Sequence, residues 1–189
     1  MHFLLEAGFW AAWLLLIAVW GLLARKTKTA ARDTSSATRR VLSATIATGY
    51  FLLCGVGNLG PLNRTLGSPS LIAAIVGLSL TWVAILFAIW ARLTLGDNWS
   101  AKPMVKEKHK LVTSGPYALA RHPIYTGMLL AAAGTGAAEG QWRDLAGVLL
   151  ILLAFVLKIR QEEQLMMETF PDTYPEYRKR VKAILPGIF

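Results

Sequence analysis

Between His109 and Gly127 the chain places two histidines, two tyrosines, one arginine, two prolines and two glycines within nineteen residues. They form two runs, His109-Lys-Leu-Val-Thr-Ser-Gly-Pro-Tyr117 and Arg121-His-Pro-Ile-Tyr-Thr-Gly127. Downstream, Glu162-Glu163 adds two adjacent carboxylates, with Lys158 four residues before the first of them. Imidazole moves protons near neutral pH, guanidinium grips carboxylates through a planar fork, and a phenol sets a hydroxyl on an apolar ring. Together these groups make this stretch the place to look for a site.

Other chemistries fit less well. The two motif histidines are thirteen residues apart, without a Cys partner and without His-x-x-x-His or His-Glu-x-x-His spacing, so no metal site is expected. There is no Gly-x-x-x-x-Gly-Lys and no Gly-x-Ser-x-Gly, and Asp33 belongs to no triad pattern. The lone Cys54 lies in an apolar run and reads as a packing residue. Taken singly, each candidate has a plainer reading. His109 suits a solvated connector, Arg121-His122 a membrane anchor and helix cap, and Tyr117 and Tyr125 an interfacial aromatic belt. Lys158 and Glu162 suit an ordinary i,i+4 ion pair. The combination exceeds what anchoring needs, because polar groups beside an oily segment are costly to keep there.

The local backbone must break around these residues. Pro116 and Pro123 each lack an N–H and restrict the residue before them, so no helix runs through. Pro123 fits the first turn of a new helix, whose unpaired N–H groups make a seat for an anion. Irregular backbone beside apolar segments also requires cover from protein or a watery cavity.

The elements that position the motif are oily. The chain has 189 residues, 54% hydrophobic and 16% charged, which points to one all-α polytopic membrane domain. Five spans are expected: Phe3–Ala24, Val41–Leu59, Leu71–Leu95, Ile124–Ala138 and Leu145–Ile159. Three of them make an N-terminal part (1–95), and two more with a C-terminal cap make the remainder (96–189). The second span carries small residues that let helices approach closely. The fourth, short and made largely of Ala and Gly, suits a helix wedged among neighbours. The fifth has no Gly or Pro before Phe170, so its helix continues beyond the bilayer until Pro171. Of the 20 Lys and Arg, all but Arg64 and Arg143 fall to one side of such a topology, which puts the N-terminus outside and the C-terminus in the cytoplasm. The formal charge of +9 is thereby read as orientation and attraction to anionic membrane lipid, not as nucleic-acid binding.

Gly115-Pro-Tyr117, Arg121-His-Pro-Ile-Tyr-Thr-Gly127, Glu162-Glu163, Phe170, Tyr174, Tyr177 and Pro186 resemble the C-terminal core of the isoprenylcysteine carboxyl methyltransferase family, related to the membrane phospholipid methyltransferases. The resemblance covers about residues 96–189, and the chain looks like the compact five-span prokaryotic members of the family. It implies S-adenosyl-L-methionine held at the cytosolic membrane edge and closed over by the C-terminal segment. The implied cofactor contacts are His109, Lys110, Leu111, Val112, Tyr117, His122, Pro123, Ile124, Tyr125 and Glu162, with Arg121, Lys158, Glu162 and Glu163 as candidate catalytic groups. The family's substrate-side arginine falls on Lys158, which keeps the charge without the planar fork, leaving Arg160 or Arg121 as alternatives. Pro171 stands where the family usually has Gly, and Val181-Lys-Ala-Ile-Leu-Pro186 departs from its Val-Pro pattern.

Methyl transfer from a sulfonium is an in-line displacement, so the protein chiefly has to position donor and acceptor. Glu162 would meet the cofactor's ammonium; His109, Arg121 and free N–H groups near Pro123 its carboxylate; Leu111, Val112 and Tyr117 its adenine. For an amine or thiol acceptor, Glu163 or His122 is the available base. The expected acceptor is hydrophobic or lipid-like, with a carboxylate favoured, reaching the site between the third and fourth spans. Two rivals stand beside this reading. One is an NAD(P)H-dependent reductase of unsaturated steroids or lipids, whose pattern Arg-His-x-Asn-Tyr-x-Gly-Asp is broken here by Pro123 and Met128. The other is a non-catalytic transport or interaction protein, for which inverted repeats or mid-span charges would speak.

Overall fold

The computed structural model describes residues 2–24, 36–55, 57–67, 70–96 and 111–184. The expectations on His109, Lys110 and Pro186 lie outside them. The described residues are helical throughout, apart from turns and one isolated bridge between Thr65 and Gln141. The helices are α1 (His2–Ala24), α2 (Ser36–Leu53), α3 (Leu71–Leu95), α4 (Pro123–Glu139), α5 (Trp142–Thr169) and α6 (Tyr174–Arg180).

Five long helices thus stand where five spans are expected. Two of them, over Phe3–Leu23 and Leu71–Leu95, are long and apolar enough to cross a membrane. The 25-residue α3 begins at Ser70, whose hydroxyl accepts the Ala73 N–H, and matches its expected bounds. The second helix differs: α2 starts in the polar Ser36-Ala-Thr-Arg-Arg turn and stops at Leu53 instead of Leu59. Gly55 (φ 70°) and Gly57 (φ 82°) take the left-handed backbone that ends it, and Cys54, expected to pack inside, is exposed in the turn. At the other extreme α5 runs unbroken for 28 residues. At 1.5 Å per residue that is about 42 Å, longer than the roughly 30 Å of a bilayer's hydrocarbon.

α1 packs on α3, α3 on α4, α4 on α5, and α5 on α2, which also touches α4. At several points the α3–α4 contact is backbone against backbone. A Cβ placed on Gly134 would lie 2.7 Å from the Gly77 carbonyl oxygen, and one on Gly127 2.6 Å from that of Ala84. Glycine lets the two backbones meet directly. At these points the third and fourth helices leave no room for a methyl group, where a route for the acceptor is expected. Beside the seam the buried Thr81 hydroxyl donates to Gly77 O (2.9 Å) and meets Thr135 Oγ1 (3.3 Å), which also accepts the Trp13 indole N–H (3.1 Å). α2 and α5 meet in the same way, with a Cβ on Gly147 falling 2.6 Å from Gly49 O.

The loop ends collect at two poles. At one, Trp142 N–H donates to Arg64 O (3.2 Å), and the buried Arg143 pairs with Glu139 (3.0 Å). At the other, the Arg92 guanidinium bonds Leu23 O (3.3 Å) and Gly96 O (3.1 Å), tying the ends of α1 and α3 beside the proline-broken motif.

Candidate functional site

The motif folds as its prolines require. Gly115, at φ 61°, leads into a short 3-10 turn over Gly115–Ala118, and Pro116 and Tyr117 are buried against the end of α3. His122 then caps α4, with Pro123 as its first residue. Val112, Tyr117, Ile124 and Tyr125 gather with Ala91 and Trp20 in one apolar cluster, while Leu111 is half-buried at its margin. Neither tyrosine is an exposed belt residue.

The tail covers the start of α4. The Arg121 N–H donates to Lys182 O (2.8 Å) and the His122 N–H to Ala183 O (2.9 Å). The buried Thr126 hydroxyl donates to Ile184 O (2.6 Å), and the Tyr177 hydroxyl to Tyr117 O (2.6 Å). The N–H groups of residues 121 and 122 are therefore taken by tail carbonyls. Apolar contacts of Ala183 and Ile184 with Ile159, Tyr125 and Leu129 seal the same seam.

Successive helix residues point about 100° apart, so the two adjacent glutamates face different partners. Glu162 Oε1 accepts the Tyr125 hydroxyl at 2.6 Å, and its Oε2 lies 3.5 Å from His122 Nδ1. Glu163 Oε1 takes two donors of Arg121, Nε at 2.7 Å and Nη2 at 2.5 Å, and its Oε2 lies 3.2 Å from Arg178 Nε. The remaining Arg121 nitrogen donates to the Arg178 carbonyl (3.2 Å) and to that of Val181. Arg121 is thus committed to Glu163 and the tail. Lys158 does not simply face Glu162; its ammonium sits over the Tyr125 ring, 5.3 Å from the centroid. The same ring stacks on His122 (5.7 Å) and on Phe155 (4.8 Å), while Arg160 is exposed.

These contacts set the charges. Burial alone would raise the Glu162 pKa, but His122, Lys158 and the Tyr125 hydroxyl outweigh it and hold it below the usual carboxylate range. For Glu163 burial is likewise overcome, by His122 and Arg121, and its pKa falls to about 2. Burial pushes His122 down while the two carboxylates push it up, and the carboxylates win. A carboxylate held this low is a poor proton acceptor, so Glu163 is a weak candidate for a general base. His122 Nε2 is buried without a hydrogen-bond partner, 3.5 Å from Glu163 Oε1.

Of the expected site residues, Tyr117, His122 to Tyr125, Lys158, Glu162 and Glu163 come together, with Val112 beside them. Three participants had no signal of their own in the sequence. Phe155 is one apolar residue within an oily run, Thr126 looks like helix filler, and Arg178 looks like one member of a basic cluster.

Residues 75–168 match the isoprenylcysteine carboxyl methyltransferase (ICMT) family. A probable protein-S-isoprenylcysteine O-methyltransferase of Oryza sativa subsp. indica is 31% identical over 153 residues, which are 77% of this chain and 80% of the rice protein. The chain belongs to the isoprenylcysteine carboxyl methyltransferase family. The cobalt-zinc-cadmium resistance protein CzcN of Cupriavidus metallidurans is 37% identical over 118 residues, 57% of this chain and 53% of that protein. The solved eukaryotic intramembrane Ras methyltransferase ICMT aligns over 82% of this chain and 54% of its own, at 24% identity and a TM-score of 0.47. The chain therefore spans about half the length of the metal-resistance relative and of the solved methyltransferase.

Proposed function

We propose that the chain is an S-adenosylmethionine-dependent methyltransferase of a five-span membrane domain, acting at the cytosolic interface on a hydrophobic, lipid-like acceptor. Family membership supports methyl transfer. The observation that carries the site is the 2.6 Å bond between Tyr125 and Glu162, which brings the broken motif and the overhanging helix within reach of one small ligand.

The residues fit the cofactor in kind. Glu162 stays anionic and can take an ammonium. The packed rings of Tyr125, Phe155 and Tyr117 make an apolar, aromatic wall beside Glu162, the kind of surface on which a sulfonium or a purine is held. His122 Nε2, with no hydrogen bond beyond its 3.5 Å ion-pair contact with Glu163, is a buried polar atom able to bond a ligand. When bound, S-adenosylmethionine supplies an electrophilic methyl group on sulfur. The protein holds the acceptor in line with it and keeps water away, which the buried aromatic cluster favours. A carboxylate acceptor needs no base; Lys158, beside Tyr125, supplies the cation nearest to the aromatic cluster.

Thermal unfolding of the detergent-purified chain tests this reading with S-adenosylhomocysteine and, separately, NADPH. Stabilisation of about 2.7 kcal/mol is expected from S-adenosylhomocysteine at a hundredfold excess over its Kd, and none from NADPH. Loss of the shift in Glu162→Gln assigns it to this site. A shift with NADPH alone would favour the reductase reading.

A further inference from the structure

Arg121 stands inside the motif and Glu163 beside it on α5, and both also make contacts that lead to the tail. One face of Glu163 holds two nitrogens of Arg121 and the other holds Arg178 of α6. Arg121 in turn bonds the carbonyls of Arg178 and Val181 through its side chain, and that of Lys182 through its own N–H. The next two anchors lie in line along the chain, His122 N–H to Ala183 O at 2.9 Å and Thr126 Oγ1 to Ile184 O at 2.6 Å. Residues 178–184 are thereby laid in fixed register along residues 121–126. The ring of His122, whose backbone is one of these anchors, lies nearly parallel to Tyr125 with an interplanar angle of 7°. Tyr125 then reaches Glu162.

We infer that Arg121, Glu163 and Arg178 form an ionic latch that fastens the C-terminal tail to the motif, and that through His122 this latch sets the Tyr125–Glu162 pair in place. In this assignment Arg121 and Glu163 are positioning residues and do not touch cofactor or acceptor. The charge arrangement supports it. One carboxylate answers two guanidinium groups, and the side chains of Arg121 and Glu163 are only 8% and 10% exposed. A ligand carboxylate could recruit Arg121 only by displacing Glu163 or the tail carbonyls. The inference rests on the methyltransferase reading only for what the pair binds; the latch itself is independent of it.

Hydrogen exchange of the full chain in detergent micelles reads the latch directly, because the Arg121 and His122 amides are closed by Lys182 and Ala183. Glu163→Gln removes the charge at constant shape, and Thr126→Val removes one anchor without touching any charge. Exchange at both amides is expected to quicken at least tenfold in Glu163→Gln and severalfold in Thr126→Val, with partial recovery in Glu163→Asp. S-adenosylhomocysteine affinity should fall about tenfold in Glu163→Gln and recover partly in Glu163→Asp, whereas Glu162→Gln should lose binding yet keep both amides protected. Unchanged exchange in Glu163→Gln and Thr126→Val would overturn the latch. Faster exchange with unaltered affinity would overturn its positioning role. A wild-type chain that binds no S-adenosylhomocysteine would sink the methyltransferase reading, while the exchange measurements would still decide whether the tail is fastened this way.

Discussion

Acid should loosen the hold of Glu163 on the His122–Arg121 motif to which the tail is fastened. The Glu163 pKa is lowered from an ordinary 4.5 to about 2 by His122 and Arg121, against burial that pushes it up. At ~1.4 kcal/mol per tenfold this amounts to about 3 kcal/mol of stabilisation. With a tenth of the side chain exposed, solvent screening removes little of it. The folded value is the depressed one, so the stabilisation is complete above about pH 4.5 and is withdrawn as pH falls towards 2. Between pH 5 and pH 2.5 the group should lose about 2 kcal/mol of stability, of which the opening equilibrium at Arg121 and His122 senses a part. The assay is amide exchange at Arg121 and His122 across that range, corrected for intrinsic rates. Wild type should lose protection steeply. Glu163→Gln should begin less protected and change much less, the remaining slope belonging to Glu162. Superimposable slopes in the two proteins would refute the reasoning.

Three further outcomes are expected. Tyr125→Phe removes the 2.6 Å donor to a charged acceptor, worth about 1.5–3 kcal/mol, and should weaken S-adenosylhomocysteine binding about tenfold by calorimetric titration. Gly134→Val should cost at least 1–3 kcal/mol by overpacking the α3–α4 seam, whereas Gly21→Ala, with nothing within 4 Å, should be neutral or stabilising; melting temperatures in one detergent compare them. His122 titrates above its ordinary 6.5, so its contribution is complete below that value and is lost as pH climbs through the raised one. Wild type should therefore melt at lower temperature towards pH 9, with a flatter profile in His122→Gln.

The long helices were legible because apolar runs and proline breaks are written in residue types. Leu71–Leu95 and the start at Pro123 followed directly. The beginning of α2 was hidden, since Ser36-Ala-Thr-Arg-Arg looks like loop by hydropathy although nothing in it opposes a helix. At the site, proximity of Tyr125 and Glu162 was readable from the motif and the unbroken α5. The division of labour between Glu162 and Glu163 was not, because it depends on a 100° turn of the helix and on which side of α5 the tail lies. Arg121 could not be placed from its type either. Half of what holds it are tail carbonyls, and every residue has one of those. The Gly77–Gly134 encounter was equally hidden among many Gly and Ala candidates.

The glycine contacts divide the long helices into two stiff couples, α3 with α4 and α2 with α5, each joined where backbone meets backbone. Movement within either couple would tear apart contacts that have no side chain to bend. Movement of one couple against the other is then taken up where α4 meets α5 and α2, and there Tyr125 reaches across to Glu162. The hydrogen bond is a gauge on that joint: whatever pries the couples apart there stretches it.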